Sequence, residues 1–237
     1  MIVCRECRQA FPQDGFPHLC PACGGLFGFY PNLDINFNKR ESELPGIWRY
    51  RSSFALSEHA PVISLGEGDT PLVWSEIHGT RIGFKLESQN PTGSFKDRGS
   101  AVLVSHLIAA GIEEAVEDSS GNAGASFAAY AARGGLKARI FIPDSAAGPK
   151  CQQIESYGAE VIPIPGARSR AAEAVLKEVD QGAVYASHAY LPHGTAGIAT
   201  IAYEIVEKMG TAPGTVILPV GHGSFLRGLA LGFRSLL

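Results

Sequence analysis

The sequence lacks the features that mark a membrane protein, a secreted protein or a nucleic-acid-binding protein. None of its apolar runs is as long as a transmembrane helix. The N-terminal stretch MIVCRECRQAF has no apolar core of a signal peptide. The formal net charge is −3, which gives no basic surface for nucleic acid. We therefore expect a cytoplasmic protein that binds neither a membrane nor nucleic acid.

Internal repeats and low-complexity segments are also missing. The chain has 237 residues, of which 45% are hydrophobic, and this is enough for a folded body with an appendage. We predict three regions. They are a zinc-ribbon-like segment (1–29), a segment that wraps its aromatic residues onto the body (30–79), and an α/β body (80–237).

Cysteine is scarce after residue 23, where only Cys151 remains, and we interpret it as an ordinary buried cysteine. The other four follow the pattern C-x2-C-x12-C-x2-C, with Cys4 and Cys7 in one pair and Cys20 and Cys23 in the other. Two such turns form a tetrahedral set of thiolates that suits Zn²⁺. Two disulfides are the alternative, which a reducing compartment disfavours. Since four thiolates close the shell, we expect a structural metal site.

From Thr80 onward, strand-like runs alternate with helix-like runs. We predict strands over 81–87, 115–118, 138–143, 159–164, 183–187 and 214–220. We predict helices over 96–110, 125–135, 148–158, 169–182 and 194–210, and a last helix from about residue 225. This alternation is typical of an α/β fold with parallel sheets and helices on both faces. In such folds ligands bind at the carboxyl ends of the strands.

The first of three loops at predicted strand ends is NPTGSFKDRG, residues 90–99. Ser94 can cap the following helix, and Lys96 then lies in its first turn. The positive end of the helix dipole disfavours an ammonium group there, which favours the neutral lysine of Schiff-base chemistry. The alternative is an ordinary turn before a charged helix start. Asp97 and Arg98 are helix-start charges in that alternative, and otherwise Arg98 supports the site through hydrogen bonds.

The second and third loops look suited to anions. SSGNAG (119–124) offers backbone N–H groups ahead of a helix to a carboxylate, and Asn122 could reach a ring hydroxyl; a plain capped turn is the alternative. PVGHGSFLRG (219–228) has glycines that let the backbone wrap a phosphate, with Ser224 at a helix start. His222 either touches a cofactor or is an ordinary turn histidine. A Schiff-base lysine with both cradles describes a pyridoxal phosphate site.

These motifs resemble those of the fold type II pyridoxal-phosphate enzymes, the tryptophan synthase beta-like superfamily, and most closely threonine synthase and its relatives. The resemblance covers Ser64 to the C-terminus. The motifs that carry it are GEGDTPL (66–72), NPTGSFKDRG (90–99), SSGNAGASFAAYAARGG (119–135), the stretch from IFIP to GAEV (140–161) and VGHGSF (220–225). A zinc-ribbon-like N-terminus also precedes this body in some threonine synthase-like proteins.

The resemblance implies a role for each motif residue. Lys96 would form the Schiff base and move protons, and Asn122 would bind the ring oxygen of the cofactor. The other cofactor-binding residues would be Phe95, Gly221, His222, Gly223, Ser224 and Phe225. The substrate carboxylate would be held by Ser119, Ser120, Gly121 and Ala123. The implied reaction converts O-phosphohomoserine and water into threonine and phosphate in a homodimer.

The sequence departs from the threonine synthase pattern in two places. The phosphate loop, usually Gly-Asn-Ala-Gly-Asn, is Gly-His-Gly-Ser-Phe at 221–225, and a usual Gly-Gln-Lys-Thr is Gly-Ile-Ala-Thr at 197–200. Another amino-acid substrate is therefore an alternative, as in threonine or serine dehydratases, cysteate synthase or diaminopropionate ammonia-lyase. Because this family continues beyond the phosphate loop, we also expect a C-terminally truncated chain. A partner chain would then cover the missing part, or the chain would be a non-catalytic remnant that binds a partner.

Overall fold

The computed structural model describes residues 1–35, 37, 41 and 43–236. Two short strands form the N-terminal ribbon, β1 (Ile2–Cys4) and β2 (Phe27–Phe29), and they pair antiparallel. The rings of Phe11 and Phe27 meet edge to face in the ribbon's small core, with 4.7 Å between their centroids.

The segment after the ribbon packs aromatic side chains into the main core. A 3-10 helix, Gly46–Ser53, buries Trp48 and Tyr50 completely, and Phe54 just after it is also completely buried. The indole N–H of Trp48 donates to Glu67 Oε1 at 2.6 Å. The burial that was predicted for the aromatic residues of this segment is therefore confirmed for these three.

A two-stranded hairpin follows, formed by β3 (Leu72–Ile77) and β4 (Thr80–Lys85). Its turn consists of His78 and Gly79, with φ of +50° and +75°, as a two-residue type I′ turn requires. The strand predicted over 81–87 is thus present as β4. It pairs antiparallel within this hairpin, and the predicted boundary at residue 80 falls next to the hairpin turn.

The centre of the body is a parallel sheet of four strands. They are β5 (Glu114–Glu117), β6 (Lys137–Pro143), β7 (Glu160–Ile164) and β8 (Val184–Tyr185). Their order across the sheet is β7-β6-β5-β8, and each pairing is parallel. The predicted α/β class with a parallel sheet is confirmed.

Helices cover both faces of this sheet. They are α1 (Lys96–Ala109), α2 (Asn122–Gly134), α3 (Pro149–Ser156), α4 (Arg168–Asp180), α5 (His193–Met209) and α6 (Ser224–Arg234). Alternate strand residues point to opposite faces. Ala115 and Ile140 belong to the core shared with α1 and α2, whereas Val116 and Phe141 belong to the core under α4. In the described part of the chain, no helix combines the length and the apolar character needed to cross a membrane.

Helix α5 is the central helix, and glycines bring α1 and α6 close to it. A Cβ atom added to Gly197 of α5 would lie 1.9 Å from Arg98 O of α1. A Cβ added to Gly228 of α6 would lie 2.4 Å from Ile198 Cγ2 of α5. Only glycine permits these approaches, and they bring the N-terminal ends of α1 and α6, with Lys96 and Ser224, next to each other.

The strand predicted over 214–220 is wrong. The described residues 211–223 form neither a helix nor a strand, and Ile217 and Val220 are 92% and 58% exposed. An apolar run becomes a strand only when a neighbouring strand accepts its hydrogen bonds and buries its side chains. None of the strands in the described residues pairs with this segment.

Candidate functional site

The four N-terminal cysteines meet at one end of the ribbon. Their Sγ atoms all lie within 4.8 Å of one another. Cys4 and Cys23 are 3.5 Å apart at Sγ, and Cys7 and Cys20 are 3.6 Å apart. Thiolates that bind one tetrahedral Zn²⁺ lie roughly 3.8 Å apart, so the donor set fits zinc in kind and in spacing. All four are free thiols in this structure, in contrast to the disulfide alternative.

The ribbon is docked on the body close to the start of α6. The guanidinium of Arg227 donates to Phe27 O at 2.9 Å. His18, two residues before Cys20, lies outside the cysteine cluster. Its ring packs against Tyr185 and Tyr190, with centroid distances of 5.9 and 5.6 Å.

Lys96 is the first residue of α1 and lines a small cavity at the carboxyl end of the parallel sheet. Its Nζ donates to Ser224 Oγ, at the first residue of α6, at 3.1 Å. The same Nζ lies 5.1 Å from the ring centroid of Phe95. The structure thus places the predicted Schiff-base lysine against the predicted phosphate loop.

The pKa of Lys96 is lowered to about 8, from an ordinary value of 10.5. Burial is the largest cause, Glu117 opposes it, and Arg168 adds to it. The lowered pKa that was predicted from the helix dipole is thus present, and desolvation of the amine is its main cause. A larger share of Lys96 is neutral near pH 7 than for an exposed lysine, as a nucleophile requires.

The turn before Lys96 is fixed by Asp97. Thr92 donates its backbone N–H and its hydroxyl to the Asp97 carboxylate, at 2.7 and 2.5 Å. Burial raises the pKa of Asp97, and the Thr92 bonds act against that rise. Ser94 Oγ accepts a bond from the Lys96 N–H at 3.3 Å, but the N-cap of α1 is Phe95. The capping predicted for Ser94 is therefore only this weak turn contact.

Arg98 contacts a buried cluster of charges away from the cavity. Its Nη1 lies 2.7 Å from Glu204 Oε1 of α5, and its Nε lies 2.8 Å from Glu87 Oε2. Lys85 also binds Glu204, at 2.6 Å. The side chains of Arg98 and Glu204 are 0% exposed. The hydrogen bonds predicted for Arg98 thus connect α1 to α5.

The SSGNAG loop ends at the N-terminus of α2, and a close backbone approach sets its shape. A Cβ atom added to Gly124 would lie 1.8 Å from Ser119 O, so this position admits only glycine. Ser119 is buried, and its Oγ accepts a bond from the Gly121 N–H at 3.3 Å. The Ser119 hydroxyl therefore accepts one bond within the loop and keeps its own O–H as a donor.

The remaining residues of this loop differ in whether they line the Lys96 cavity. Ala123 lines the cavity together with Lys96. Ser120 is half-buried, while Asn122, the first residue of α2, is exposed. The roles given to these residues remain predictions, and Ala123 is the one that the geometry places beside the lysine.

The third loop reaches Lys96 from the start of α6. Gly223, the N-cap of α6, has φ of +86°, a left-handed conformation that favours glycine. Gly221 is exposed two residues before it. The ring of Phe225 stacks on Phe95, with centroids 4.3 Å apart and planes inclined by 14°. This stack joins the first loop to the third.

Two residues that sequence reasoning missed complete the cavity wall. Glu117, the last residue of β5, is 1% exposed, and its Oε1 lies 3.2 Å from His188 Nδ1. Both line the cavity with Lys96. The ring of His222, itself exposed, lies 5.5 Å from the ring of His188. The available signal was a charged residue at the end of a buried strand, just before SSGN.

The cavity is small, about 20 Å³, which is room for roughly one water molecule. Its chemical groups suit pyridoxal phosphate, because an amine that favours its neutral form lies beside a hydroxyl at a helix N-terminus. The space between these groups is smaller than the cofactor requires. A ring with a phosphate arm is longer than the single hydrogen bond that joins Lys96 to Ser224. The lysine or the 219–223 segment must therefore move when such a cofactor enters.

Comparison with known proteins identifies the family of the chain. The family model for pyridoxal-phosphate dependent enzymes matches residues 63–237. The threonine synthase of Methanocaldococcus jannaschii is 33% identical over 98% of this chain and 60% of its own length. The threonine synthase of Synechocystis sp. is 38% identical over 78% of this chain and 50% of its own length. The chain thus spans 50–60% of these relatives.

Solved structures agree on the fold. Cysteine synthase from Entamoeba histolytica superimposes with a TM-score of 0.66 at 29% identity, over 72% of this chain and 55% of that one. Maize serine racemase superimposes with a TM-score of 0.62 at 26% identity, over 67% of this chain and 48% of that one. The chain belongs to the pyridoxal-phosphate dependent enzyme family.

Proposed function

We propose that this chain carries the lysine site of a pyridoxal-phosphate-dependent lyase of the threonine synthase type. Such an enzyme converts O-phosphohomoserine and water into threonine and phosphate. The observation that carries the proposal is the 3.1 Å hydrogen bond from Lys96 Nζ to Ser224 Oγ, because it joins a nucleophilic lysine to a helix start suited to phosphate. Relatives named threonine synthase, 31–38% identical, support the choice of reaction.

The residues divide the work as follows. When bound, pyridoxal phosphate withdraws electrons from the amino acid attached to it. Lys96 Nζ would hold the cofactor aldehyde and then take protons from Cα and Cβ of the substrate. Ser224 and the first N–H groups of α6 would bind the cofactor phosphate. The stacked rings of Phe95 and Phe225 would keep water away from the lysine.

A second candidate is the same chemistry on another amino acid. Two observations support this candidate. The sequence departs from the threonine synthase pattern at 197–200 and 221–225, and solved relatives are named cysteine synthase and serine racemase. The products separate the candidates. Release of phosphate from O-phosphohomoserine supports the first, whereas release of ammonia from serine, threonine or diaminopropionate supports the second.

The first experiment is an absorbance spectrum of the purified chain with added pyridoxal phosphate, before and after borohydride. Peptide mass spectrometry then locates the fixed cofactor. We expect it on Lys96, and we expect none in Lys96→Ala. Lys177→Ala, at an exposed lysine on α4, is the control that keeps the cofactor. Equal fixation in Lys96→Ala and in the unchanged chain would contradict the assignment.

We also propose that Cys4, Cys7, Cys20 and Cys23 hold a structural Zn²⁺. The spacing of their Sγ atoms supports this, and the metal would cross-link a ribbon too small to fold on hydrophobic burial alone. Metal analysis should find one zinc per chain, lost in Cys4→Ser but kept in Cys151→Ser. A chelator should increase hydrogen exchange in residues 1–29 and leave the parallel sheet protected. Equal loss of protection in both would contradict a role limited to the ribbon.

The assembly proposed with this function is a homodimer, or this chain with a partner chain. The exposed side chains of Val216, Ile217 and Val220 are apolar surface of the kind that interfaces cover. Light scattering of the purified chain measures the mass directly. A monomer that stays monomeric in the presence of cofactor would contradict the homodimer.

A further inference from the structure

Glu117 is a buried carboxylate with one unused oxygen. The residue is 1% exposed at the end of β5. Its Oε1 binds His188 Nδ1 at 3.2 Å, while its Oε2 has no hydrogen-bond partner among the described residues. Leaving a buried carboxylate oxygen without a donor costs free energy. Such a group in a folded protein therefore calls for a specific reason.

The cavity beside Lys96 suggests what that reason is. Lys96, Glu117 and His188 all line it, and its volume of about 20 Å³ admits roughly one water molecule. A water needs at least two polar partners, and the lining groups provide them. A proton could thus pass between the lysine and the Glu117–His188 pair through one molecule.

The contact with Glu117 also sets the proton positions on His188. A carboxylate accepts hydrogen bonds and, when ionised, donates none. The neutral imidazole therefore carries its proton on Nδ1, which faces Glu117. Its other nitrogen, Nε2, is then the atom that can accept a proton. The same division of roles holds wherever a carboxylate orients a histidine that acts as a base.

We propose that His188, oriented by Glu117, is the proton carrier that clears and reloads Lys96 in the reaction of the proposed function, on which this inference rests. Lys96 Nζ takes a proton from the substrate and becomes an ammonium. That proton passes through the cavity water to His188 Nε2 and then to solvent, and the reverse transfer returns a proton to Lys96, which delivers it to the product. Lys96 and His188 both return to their neutral forms, and no electrons are transferred. Glu117 acts through His188 and is a positioning residue.

The charged groups around Lys96 make this testable. Glu117 faces it from β5, Arg168 from the start of α4, His188 from the segment after β8, and His222 from the segment before α6. Glu117 is the negative charge among these, and it raises the pKa of Lys96 against burial and Arg168. Neutralising Glu117 must therefore lower the pH at which Lys96 becomes reactive.

The first test needs no cofactor. Labelling of the Lys96 amine by reductive methylation is followed by mass spectrometry over a series of pH values. In Glu117→Gln we expect the midpoint to fall by roughly one pH unit. Glu114→Gln, on the same strand but paired with Lys137 at the other end, is the matched control with an unchanged midpoint. A midpoint in Glu117→Gln equal to that of the control would overturn the proposal.

The second test uses the enzyme loaded with cofactor. We expect His188→Ala to lower kcat about 100-fold, to keep cofactor that borohydride fixes on Lys96, and to regain rate when imidazole is added. His59→Ala, at an exposed histidine, is the control without loss. A residue that only supports the fold is not rescued by imidazole, so failure of rescue in a folded variant with bound cofactor would overturn the proposal.

The two proposals fail in different ways. If the unchanged chain fixes no cofactor, the proposed function fails, whereas the labelling test on Glu117→Gln still reports whether Glu117 controls Lys96. If the cofactor is fixed but either Glu117→Gln or His188→Ala behaves like its control, the proton carrier fails and the proposed function stands. Circular dichroism of each variant shows that it is folded, and Glu117→Asp, which keeps the charge, should leave the labelling midpoint unchanged.

Discussion

Lys96 and Arg98 lie two residues apart at the start of α1, and both place a cation inside the protein. Arg98 is completely buried and is bound by Glu87 and Glu204 at 2.8 and 2.7 Å. Lys96 is half-buried and donates to the hydroxyl of Ser224. The two cations therefore have different partners. Carboxylates bind Arg98 directly, whereas Lys96 bonds a hydroxyl, lies beside an aromatic ring and shares its cavity with the carboxylate of Glu117.

This difference separates a structural cation from a reactive one. A buried guanidinium with carboxylate partners stays charged and ties the elements that carry those partners. A buried ammonium that bonds a hydroxyl loses hydration and regains little of it, so its pKa falls. The pKa of Lys96 is accordingly lowered to about 8, chiefly by burial. One helix start thus holds an anchor and the proposed nucleophile, and the partners of each cation set this difference.

The largest effect is expected when the anchor loses its charge. In Arg98→Met, Glu87 loses its cation and Glu204 keeps only Lys85, which should lower the free energy of unfolding by about 3–5 kcal/mol. Urea unfolding at pH 7 measures the change. Arg133→Met, at an exposed arginine on α2, is the control and should stay within about 0.5 kcal/mol. A loss below about 1 kcal/mol would show that the cluster is not an anchor.

Lowering the pH should remove the stabilisation that the Arg98 cluster provides. Burial acts to raise the pKa of Glu204, but Arg98 and Lys85 outweigh it and lower the pKa to about 2, from 4.5. The stabilisation is fully present above pH 4.5 and is lost as the pH falls from 4.5 toward 2, by roughly 3 kcal/mol in all. Urea unfolding of the unchanged chain and of Glu204→Gln over that range checks this. The variant should lack this part of the pH dependence, and parallel curves would contradict the assignment.

Removing the reactive cation should stabilise the protein. The folded chain holds the pKa of Lys96 at about 8, below the unfolded value, so the unfolded chain binds more protons between pH 8 and 10.5. The cost of Lys96 is thus full below pH 8 and disappears as the pH rises to 10.5. Lys96→Met should gain about 3 kcal/mol at pH 7 and nothing above pH 10.5. Lys177→Met is the control, and a gain that is independent of pH would point to packing instead.

The smallest effect concerns the ring beside the lysine. Phe225→Leu removes the stack on Phe95 and should lower the free energy of unfolding by about 1 kcal/mol. It should also change the labelling midpoint of Lys96, because the stack shields the amine, while the Arg98 cluster is unaffected. Phe84→Leu, on the exposed face of the hairpin, is the control for stability. Lower stability without a change at Lys96 would separate the stack from the nucleophile.

The order of helices and strands in the body could be predicted from the sequence, because apolar spacing and glycines mark each element locally. Helices α1 and α5 begin within one residue of the predicted starts. The segment 214–220 could not be predicted in this way. Its apolar run looks like a strand, but strand formation depends on a partner elsewhere in the chain.

The candidate site, too, could be predicted from the sequence only in part. Lys96 and Ser224 were identified because each follows a turn motif at a helix start, which is local information. Glu117 and His188 were missed because a charged residue at the end of a buried strand does not show what it contacts, and a lone histidine carries no local signal. Their meaning comes from the 3.2 Å contact between residues 71 positions apart, which is created by the parallel pairing of β5 with β8.

The sequence by itself determined the α/β class, the cysteine cluster and the lysine between an aromatic ring and an Asp-Arg pair, since these follow from spacing along the chain. The tertiary structure decided which cation becomes the anchor and which the nucleophile. Burial and the partners of a charge depend on how α1, α5 and α6 pack, and the pKa of a side chain follows its surroundings rather than its position in the sequence.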